Sequence, residues 1–418
     1  MSVLIIQNPV SGEGTAVDLI KNSVIPLLDS HSISHTIQST TEPGHAGSLA
    51  LSFLQGRCAE DKESAPKDSP VLILAGGDGT LHEVVNAVGL SAVENSEQIQ
   101  RVVIVILPCG TANALYSTLF PPSPDGGPYP KLSAKLPAGT DAQTAYKLQS
   151  LLSYLDNAGR RRPLVLTHTR VLDKNGDLAP VSGSSILSAV VTSTSLHASI
   201  LDTAEELRAE VPGVARFSVA AERNIHMWYG SHVQLLPSDS DFDSAPVQRY
   251  DPSANKFVEL EGMTELEGPY SYFLSTVNVD RLEPTFVITP LAATDPPSPG
   301  VMEVILVRPT RDPSFEGDTP EGRKKFVEKI VPVLRGAFQN GAHLGIGYDS
   351  EGNIKEDPAL QPVAEYYRCA KWIWEPTPGS AGVLVCADGT LVKIPGGGRA
   401  ICSVVKSFEE GGGFHIWA

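Results

Sequence analysis

The amino-acid sequence predicts a chain of two parts, a doubly wound α/β domain over residues 1–158 and an antiparallel β-sandwich over residues 159–418. Two observations predict this division. In the N-terminal part, continuous apolar runs end in glycine-rich turns that lead into amphipathic helical segments, as parallel strands covered on both faces do. Beyond residue 162, short strand-like segments follow one another without that alternation, which is typical of antiparallel sheets packed face to face.

The N-terminal part repeats a strand, a turn and a helix three times. The strands cover residues 3–6, 71–75 and 102–107, and their turns cover residues 7–15, 76–80 and 108–113. Glycine in such turns permits backbone conformations closed to other residues and removes side chains that would keep a phosphate away from the main chain. Because ligands of open parallel sheets lie beyond the carboxyl ends of the strands, we expect the three turns to converge on one cleft.

The polar residues of these turns are of types that hydrogen-bond to a nucleotide. Asn8 and Ser11 follow the first strand, and Thr111 and Asn113 follow the third. Asp78 is different, because a carboxylate beside a polyphosphate is repulsive unless it holds a metal ion or moves a proton, so we predict a general base or a metal ligand. A structural alternative remains, in which the glycines only turn the chain and Asp78 caps the helix that follows its turn.

Periodicity and turn residues predict the remaining elements. Asp141 is expected to cap the helix predicted over residues 141–155. Residues 58–69, 237–253 and 349–358 are expected to be mobile loops. Helices are predicted over residues 44–53, 111–119, 141–155 and 321–338, the last inserted among the strands of the second domain. Strands are predicted there over residues 164–172, 186–193, 217–221, 270–277, 285–288, 302–307, 368–374, 383–386 and 401–405.

Composition excludes several classes of protein. With 418 residues, 41% hydrophobic and 19% charged, the chain is long and apolar enough for two globular domains. Its net charge of −16 argues against a nucleic-acid partner and against recruitment to anionic membranes by a general basic surface. Five cysteines without CxxC spacing, no signal peptide and no apolar run of membrane-spanning length predict a cytoplasmic protein, with any membrane contact local and transient. Cys109 is expected to be a small packing residue rather than a nucleophile.

Three motifs carry a resemblance to a known family. They are Asn-Pro-x-Ser-Gly at residues 8–12, Gly-Gly-Asp-Gly-Thr at residues 76–80 and Pro-x-Gly-Thr-x-Asn at residues 108–113. In this order and spacing they resemble the catalytic domain of the diacylglycerol kinase and sphingosine kinase superfamily, and the pattern is most similar to sphingoid-base kinases. The second motif alone is shared with NAD kinases and 6-phosphofructokinases, but the other two favour the lipid kinases.

The resemblance implies an ATP- and Mg²⁺-dependent lipid kinase that phosphorylates the primary hydroxyl of a sphingoid base-like lipid. Asp78 would then be the general base and a Mg²⁺ ligand, and Asp202, in the lipid-binding β-sandwich, would orient the lipid head group. The implied nucleotide contacts are Asn8, Ser11, Gly12, Thr41, Gly76, Gly77, Gly79, Thr80, Gly110, Thr111, Asn113, Arg216 and Thr390.

The chain departs from the family near its carboxyl end. The family usually has Asp-Gly-Glu there, whereas this chain has Thr390 in place of the glutamate. A hydroxyl cannot replace a carboxylate as base or metal ligand, so the role is expected to pass to Glu83 as a substrate contact. Alternatives stay open: a structural hairpin at residues 388–389, a surface helix that begins at Asp202, and Arg208 as a phosphate contact. As functions, a diacylglycerol or ceramide kinase and a catalytically silent nucleotide or lipid binder also remain.

Overall fold

A computed structural model of the protein describes residues 3–60, 69–97, 101–122, 136, 139–156, 161–211, 213–238, 245–298, 300–405 and 413–418, with the backbone alone for residues 57–60. Contacts between residues divide the chain into two compact units. The first unit is Met1–Leu164 with Ser407–Ala418, and the second is Val165–Lys406. In the described part of the chain, no helix is both long enough and apolar enough to span a membrane.

The first unit is built on one largely parallel sheet. Its strands are β1 (Val3–Gln7), β2 (His35–Ser39), β3 (Val71–Gly76), β4 (Val102–Pro108), β5 (Arg161–Pro163) and, from the other end of the chain and numbered accordingly, β25 (Phe414–Trp417). The order is β2-β1-β3-β4-β25-β5, with β5 alone running antiparallel to its neighbour. The predicted α/β character of the N-terminal part is confirmed. β25, which the sequence-based division assigned to the second domain, pairs with β4 in this sheet.

Helices accompany this sheet. They are α1 (Ala16–Leu19), a π-helical turn (Ile20–Val24), α2 (Ile25–Ser30), α3 (His45–Glu60), α4 (Asp78–Glu94), α5 (Ala114–Leu119), α6 (Ala142–Lys147) and α7 (Gln149–Asp156). Apolar side chains of the central strands, such as Ile5, Ile73 and Val105, pack with those of the helices into one buried cluster. The strands are buried because both of their side-chain rows are apolar. Asp141 caps α6 as predicted, its Oδ1 accepting the Thr144 N–H at 2.9 Å.

The second unit consists mainly of antiparallel strands. They are β6 (Thr167–Leu172), β7 (Ser185–Ser188), β8 (Val191–Thr194), β9 (Ser231–Leu236), β10 (Val247–Asp251), β11 (Lys256–Leu260), β12 (Thr264–Glu267), β13 (Tyr272–Thr276), β14 (Arg281–Glu283), β15 (Phe286–Val287), β16 (Met302–Val307), β17 (Ile346–Tyr348), β18 (Ile354–Glu356), β19 (Gln361–Pro362), β20 (Glu365–Cys369), β21 (Lys371–Pro376), β22 (Leu384–Ala387), β23 (Thr390–Lys393) and β24 (Arg399–Val404). The large sheets have the orders β11-β10-β20-β16-β13-β8-β22-β23 and β12-β9-β21-β24-β6-β7; β14-β15 and β18-β17-β19 form small ones.

Aromatic side chains join the two large sheets. The Phe273 ring of β13 lies 5.3 Å from that of Trp372 and 5.2 Å from that of Trp374, both on β21. The Trp372 indole N–H donates to the Ser275 hydroxyl at 3.0 Å, so this buried donor is paired. The β-rich, antiparallel architecture predicted for the C-terminal part is confirmed. Its helices are α8 (Ser195–Glu206), α9 (Ala215–Asn224), α10 (Leu291–Thr294) and α11 (Pro320–Ala337).

Three local predictions were wrong. Residues 217–221, predicted as a strand, lie in α9, which packs its Ala220 against Ala204 and Leu207. The stretch of residues 237–253 contains β10, and that of residues 349–358 contains β18, so neither is a continuous loop. Most of the loop predicted over residues 58–69 lies outside the described residues.

Candidate functional site

The three glycine turns begin side by side, because β1, β3 and β4 are neighbouring parallel strands. The sheet's hydrogen bonding continues into them. The Asn8 N–H donates to the Ala75 carbonyl at 2.9 Å, and the Cys109 N–H donates to the Gly76 carbonyl at 2.9 Å. The turns therefore leave the same edge of the sheet at the same level.

Glycines let these turns pack backbone against backbone. A Cβ added at Gly77 would lie 3.0 Å from the Gly110 Cα, and one at Gly110 would lie 2.4 Å from the Gly77 Cα. Gly12 has a φ of +55°, and its Cβ would lie 2.5 Å from the Cys109 carbonyl oxygen. Any side chain at these positions would separate the turns, which form one continuous surface without them.

Asn8 joins the first turn to the second. Its Nδ2 donates to the Thr80 hydroxyl at 3.4 Å, and its Oδ1 accepts the Val10 N–H at 3.2 Å. Thr80 is buried, and its side chain lies where a Cβ of Gly76 would stand. The contacts of Asn8, Gly76 and Thr80 therefore hold the first and second turns together.

Asp78, the first residue of α4, points at the third turn. Its Oδ2 accepts the Ala114 N–H at 2.8 Å and its Oδ1 accepts the Leu115 N–H at 3.2 Å, so the carboxylate lies at the N-terminus of α5. A negative charge is favourable there, because helix N-termini carry unsatisfied N–H groups and a partial positive charge. Asp78 is thus a helix cap, and the helix is α5 rather than its own.

Asn113 closes the third turn on itself. Its Oδ1 accepts the Gly110 N–H at 2.9 Å and its Nδ2 donates to the Gly110 carbonyl at 2.8 Å, with Asn113 in the left-handed region at a φ of +51°. Thr111, inside this loop, is exposed. Of the two, Thr111 is therefore the side chain that faces outward.

A small recess lies beneath the turns, with a volume of about 20 Å³. Its polar wall comes from Asp78 and Asn113, and its apolar wall includes Leu81, Ile106 and Tyr116. This is space for a water molecule and not for a nucleotide. A nucleotide would have to lie over the turns.

Thr41 and Glu83 both contact the start of α3. The Thr40 N–H donates to the Gln7 carbonyl at 2.9 Å, so Thr41 follows directly after the residue that continues the pairing of β2 with β1. The Thr41 N–H donates to Nδ1 of His45 at 3.1 Å. Oε2 of Glu83 accepts the Ala46 N–H at 3.1 Å, so this carboxylate caps the first turn of α3.

Cys109 is buried, as expected of a packing residue, and Lys147, which lies near it, was not singled out from the sequence. Burial raises the pKa of the Cys109 thiol, and the positive charge of Lys147 opposes that rise only in part, which agrees with a packing role. The Lys147 ammonium donates to the Thr15 hydroxyl at 3.2 Å. No local pattern links two residues 132 positions apart, so the sequence contains no signal for this contact.

The second unit holds the other predicted residues. Asp202 is half-buried within α8, which begins at Ser195, so the alternative of a helix beginning at Asp202 is wrong. Arg216, in α9, donates to the Gly213 carbonyl at 2.8 Å, and its guanidinium lies 4.7 Å from the Phe217 ring centre. Arg208 pairs with Glu205 at 2.6 Å on the surface.

The Asp-Gly pair before Thr390 forms the hairpin turn between β22 and β23, as the structural alternative predicted. Asp388 and Gly389 have φ of +45° and +92°. The Asp388 carboxylate accepts the N–H groups of residues 189, 190 and 191 at 2.6, 3.1 and 2.7 Å, and so fixes the loop before β8. Thr390 begins β23.

The fit of Mg²⁺ to the turns rests on Asp78. Among the residues described, no group of three or more His, Cys, Asp or Glu side chains is arranged to hold a metal ion. Mg²⁺ at phosphate sites is commonly bound by one or two carboxylates, phosphate oxygens and water. A carboxylate is the type of ligand that such a site uses, so Asp78 fits one position of it.

Comparison with known proteins shows which proteins the first unit resembles. Residues 2–135, which contain all three turns, match the family model of the diacylglycerol kinase catalytic domain. The resemblance to the diacylglycerol and sphingosine kinase superfamily is thereby confirmed for the matched segment, which is similar to the catalytic domain of these lipid kinases.

Individual relatives agree with this class. Sphingosine kinase 1 of Homo sapiens is 35% identical over 117 residues, 28% of this chain and 27% of that protein. Sphingoid long-chain bases kinase 1 of Arabidopsis thaliana is 32% identical over 118 residues, 28% of this chain and 14% of that protein. The match thus spans about a quarter or less of the length of these relatives. A crystal structure from Bacillus anthracis str. Sterne, of a protein proposed to be a diacylglycerol kinase, has a TM-score of 0.51 at 13% identity over 100% of this chain and 97% of that one, which shows a shared fold.

Proposed function

We propose that the protein transfers the γ-phosphoryl group of ATP to the primary hydroxyl of a sphingoid base-like lipid. One observation carries the proposal: three glycine turns at the carboxyl ends of adjacent parallel strands pack into one surface within the matched catalytic domain. Such a surface offers backbone N–H groups and a helix N-terminus to an anionic ligand.

The second turn is the part most open to phosphate. A Cβ at Gly79 would meet nothing within 4 Å, in contrast to those at Gly76 and Gly110. Gly79 lies in the first turn of α4, where the N–H groups have no partners within the helix. The main chain at Gly79 is thus accessible, and Mg²⁺ held by Asp78 and the phosphates would neutralise the charge that develops during transfer.

We propose that Asp78 accepts the proton of the lipid hydroxyl. Its two backbone donors on α5 fix the direction of the carboxylate, and a carboxylate is a group that can accept a proton from a hydroxyl. General base catalysis of this kind contributes about a hundredfold to ten-thousandfold. Positioning and charge neutralisation would supply the rest of the acceleration.

The choice of acceptor rests on the relatives. The human and Arabidopsis proteins are named as kinases of sphingosine and of sphingoid long-chain bases. In the second unit, the Asp202 carboxylate has the charge to bind the ammonium group of such a lipid. A diacylglycerol acceptor is the alternative, supported by the name of the family model. Either acceptor implies transient contact with a membrane.

A catalytically silent nucleotide binder is the second candidate. The carboxylates of Asp78 and Asp388 both accept backbone N–H groups, Asp78 at α5 and Asp388 at the loop before β8. Thr390 supplies no carboxylate at the position where the family usually has a glutamate. This candidate predicts ATP binding without phosphoryl transfer.

Purified protein incubated with labelled ATP, Mg²⁺ and a panel of sphingosine, diacylglycerol and ceramide tests these functions. We expect transfer to sphingosine, a large loss of turnover in Asp78→Asn, and a raised KM for sphingosine in Asp202→Asn. Transfer to diacylglycerol instead would support the alternative acceptor. Tight ATP binding with no transfer to any lipid would support the silent binder, and full transfer by Asp78→Asn would exclude Asp78 as the base.

A further inference from the structure

The three turns that form the proposed nucleotide site contain no positive charge of their own. Residues 8–15, 76–80 and 108–113 include no lysine or arginine, but they include Glu13 and Asp78. A polyphosphate brought to this surface would meet two carboxylates. Backbone N–H groups and a metal ion offset part of that repulsion, and a cation from elsewhere in the chain would offset more.

Lys147 brings such a cation to the turns. It is the last residue of α6 and is half-buried, and its ammonium donates to the hydroxyl of Thr15, which ends the first turn. The same charge lowers the pKa of the Cys109 thiol in the third turn, although burial is the larger cause and raises it. The ammonium therefore lies beside both the first and the third turns.

The backbone at Lys147 is held by the packing of the residues on either side of it. Ala145 and Leu148 are buried, and the Tyr146 ring contacts the Tyr116 ring of α5 edge-on at 5.2 Å. The Tyr116 hydroxyl donates to the Tyr146 carbonyl. A lysine ammonium has three donors, and within the described part of the chain Thr15 is the acceptor that the structure gives it.

Two other basic side chains that the structure describes in the first unit lie elsewhere. Arg101 immediately precedes β4, at the amino end of that strand and so at the opposite edge of the sheet from the turns. Lys21 is exposed on the π-helical turn after α1. Lys147, by contrast, contacts the first turn through Thr15, and its charge acts on Cys109 of the third turn.

We propose that Lys147 is the phosphate-binding cation of the nucleotide site, with Thr15 holding its ammonium in place. This inference rests on the proposed function, because it names the residue that recognises the anionic part of ATP. Lys147 would donate to a phosphate oxygen as a point charge and take no part in proton transfer. Its contribution should then depend on the number of phosphates in the ligand.

The test compares ligands that differ only in phosphate. Binding of ATP, ADP and adenosine to the full chain is measured by calorimetry for the wild type, Lys147→Met, and Lys21→Met as the matched control. We expect Lys147→Met to weaken ATP binding by about tenfold to a hundredfold, the range of a hydrogen bond to a charged group, and ADP binding also. Adenosine should bind all three proteins equally, and Lys21→Met should match the wild type with every ligand.

A rescue separates recognition from structure. In the Lys147→Met background, Thr15→Lys places an ammonium on the first turn itself and should restore part of the ATP affinity without changing adenosine binding. If Lys147→Met folds poorly, Lys147→Gln replaces it in the same binding measurements. Thermal melting without ligand checks that the glutamine variant is folded. If the wild type and the Lys147 variants bind ATP with equal affinity, or if the variants lose as much affinity for adenosine as for ATP, the role of Lys147 is overturned. The proposed function would still stand in that case. Failure of the wild type to bind ATP would overturn the proposed function as well.

Discussion

At the residue scale, Asp78 combines two tasks that substitutions can separate. Asp78→Ala removes the acceptor of the Ala114 and Leu115 N–H groups, and we expect a loss of about 1 kcal/mol in the free energy of unfolding, the typical value of a helix cap. Asp78→Asn keeps an amide oxygen that can accept one of these bonds, so it should lose less stability. Both variants should lose phosphoryl transfer if Asp78 is the base.

Urea unfolding and transfer assays on the same preparations check this. Thr80→Ser, which keeps the hydroxyl that accepts from Asn8, is the matched control in the neighbouring position. Equal stability of Asp78→Ala and the wild type would contradict the cap.

Asp388 is a second carboxylate whose task is structural. It accepts three backbone N–H groups from a loop about two hundred positions away in the chain, at 2.6 to 3.1 Å. We expect Asp388→Ala to lower the free energy of unfolding by about 3 kcal/mol, because it leaves several donors without acceptors. Asp173→Ala, at an exposed turn with only local bonds to residues 175 and 177, is the control and should change stability less. Thermal melting of the two variants distinguishes them.

At the element scale, the same substitution at two glycines of the turns is predicted to affect stability differently. Gly110→Ala would place a Cβ 2.4 Å from the Gly77 Cα, so we expect the second and third turns to separate and both stability and ATP binding to fall. Gly79→Ala meets nothing within 4 Å, so the fold should tolerate it. ATP binding should still weaken, because the new methyl group stands on the backbone that phosphate would approach. Melting temperatures and ATP titrations of both variants check this, and unchanged ATP binding in Gly79→Ala would place the phosphates elsewhere.

Elements with a simple burial pattern could be predicted from the sequence. The continuous apolar runs of β3 and β4 and the glycines after them left few alternatives, and β16 has the predicted bounds. α9 was missed because its Phe-Ser-Val-Ala-Ala segment alternates like a strand, whereas its contacts with α8 decide in favour of a helix. The cap on α5 by Asp78 and the contact of Lys147 with Thr15 join distant segments, so no local periodicity reports them.

At the scale of the whole molecule, one buried histidine makes stability depend on pH. His343 is 1% exposed, and burial lowers its pKa from 6.5 to about 4, although its hydrogen bond to the Ile288 carbonyl opposes this. The unfolded chain therefore binds a proton below about pH 6.5 that the folded protein takes up only near pH 4. Stability is fully present above pH 6.5 and is lost as the pH falls, by up to about 3 kcal/mol from this group.

His343→Gln keeps a donor for Ile288 and does not titrate. Urea unfolding at pH 7 and pH 4.5 should show a smaller acid loss in this variant than in the wild type, whereas His31→Gln, on the surface, should behave like the wild type. Identical acid losses in all three proteins would exclude His343 as the cause.

The first and last strands of the described chain belong to the same sheet. The last strand, β25, pairs with β4, which leads into the third turn of the proposed nucleotide site. β25 lies between β4 and β5, where the Ser150 hydroxyl donates to the Trp417 carbonyl at 2.8 Å and the Trp417 ring contacts that of Tyr154 at 6.1 Å. Removing residues 407–418 would expose the edge of β4, the strand that leads into the third turn. We expect faster amide hydrogen exchange in β4 and weaker ATP binding, with exchange in β13 and β16 of the second unit unchanged. Deleting Ala418 alone is the control, and unchanged exchange in β4 after the full truncation would show that the sheet holds this strand without β25.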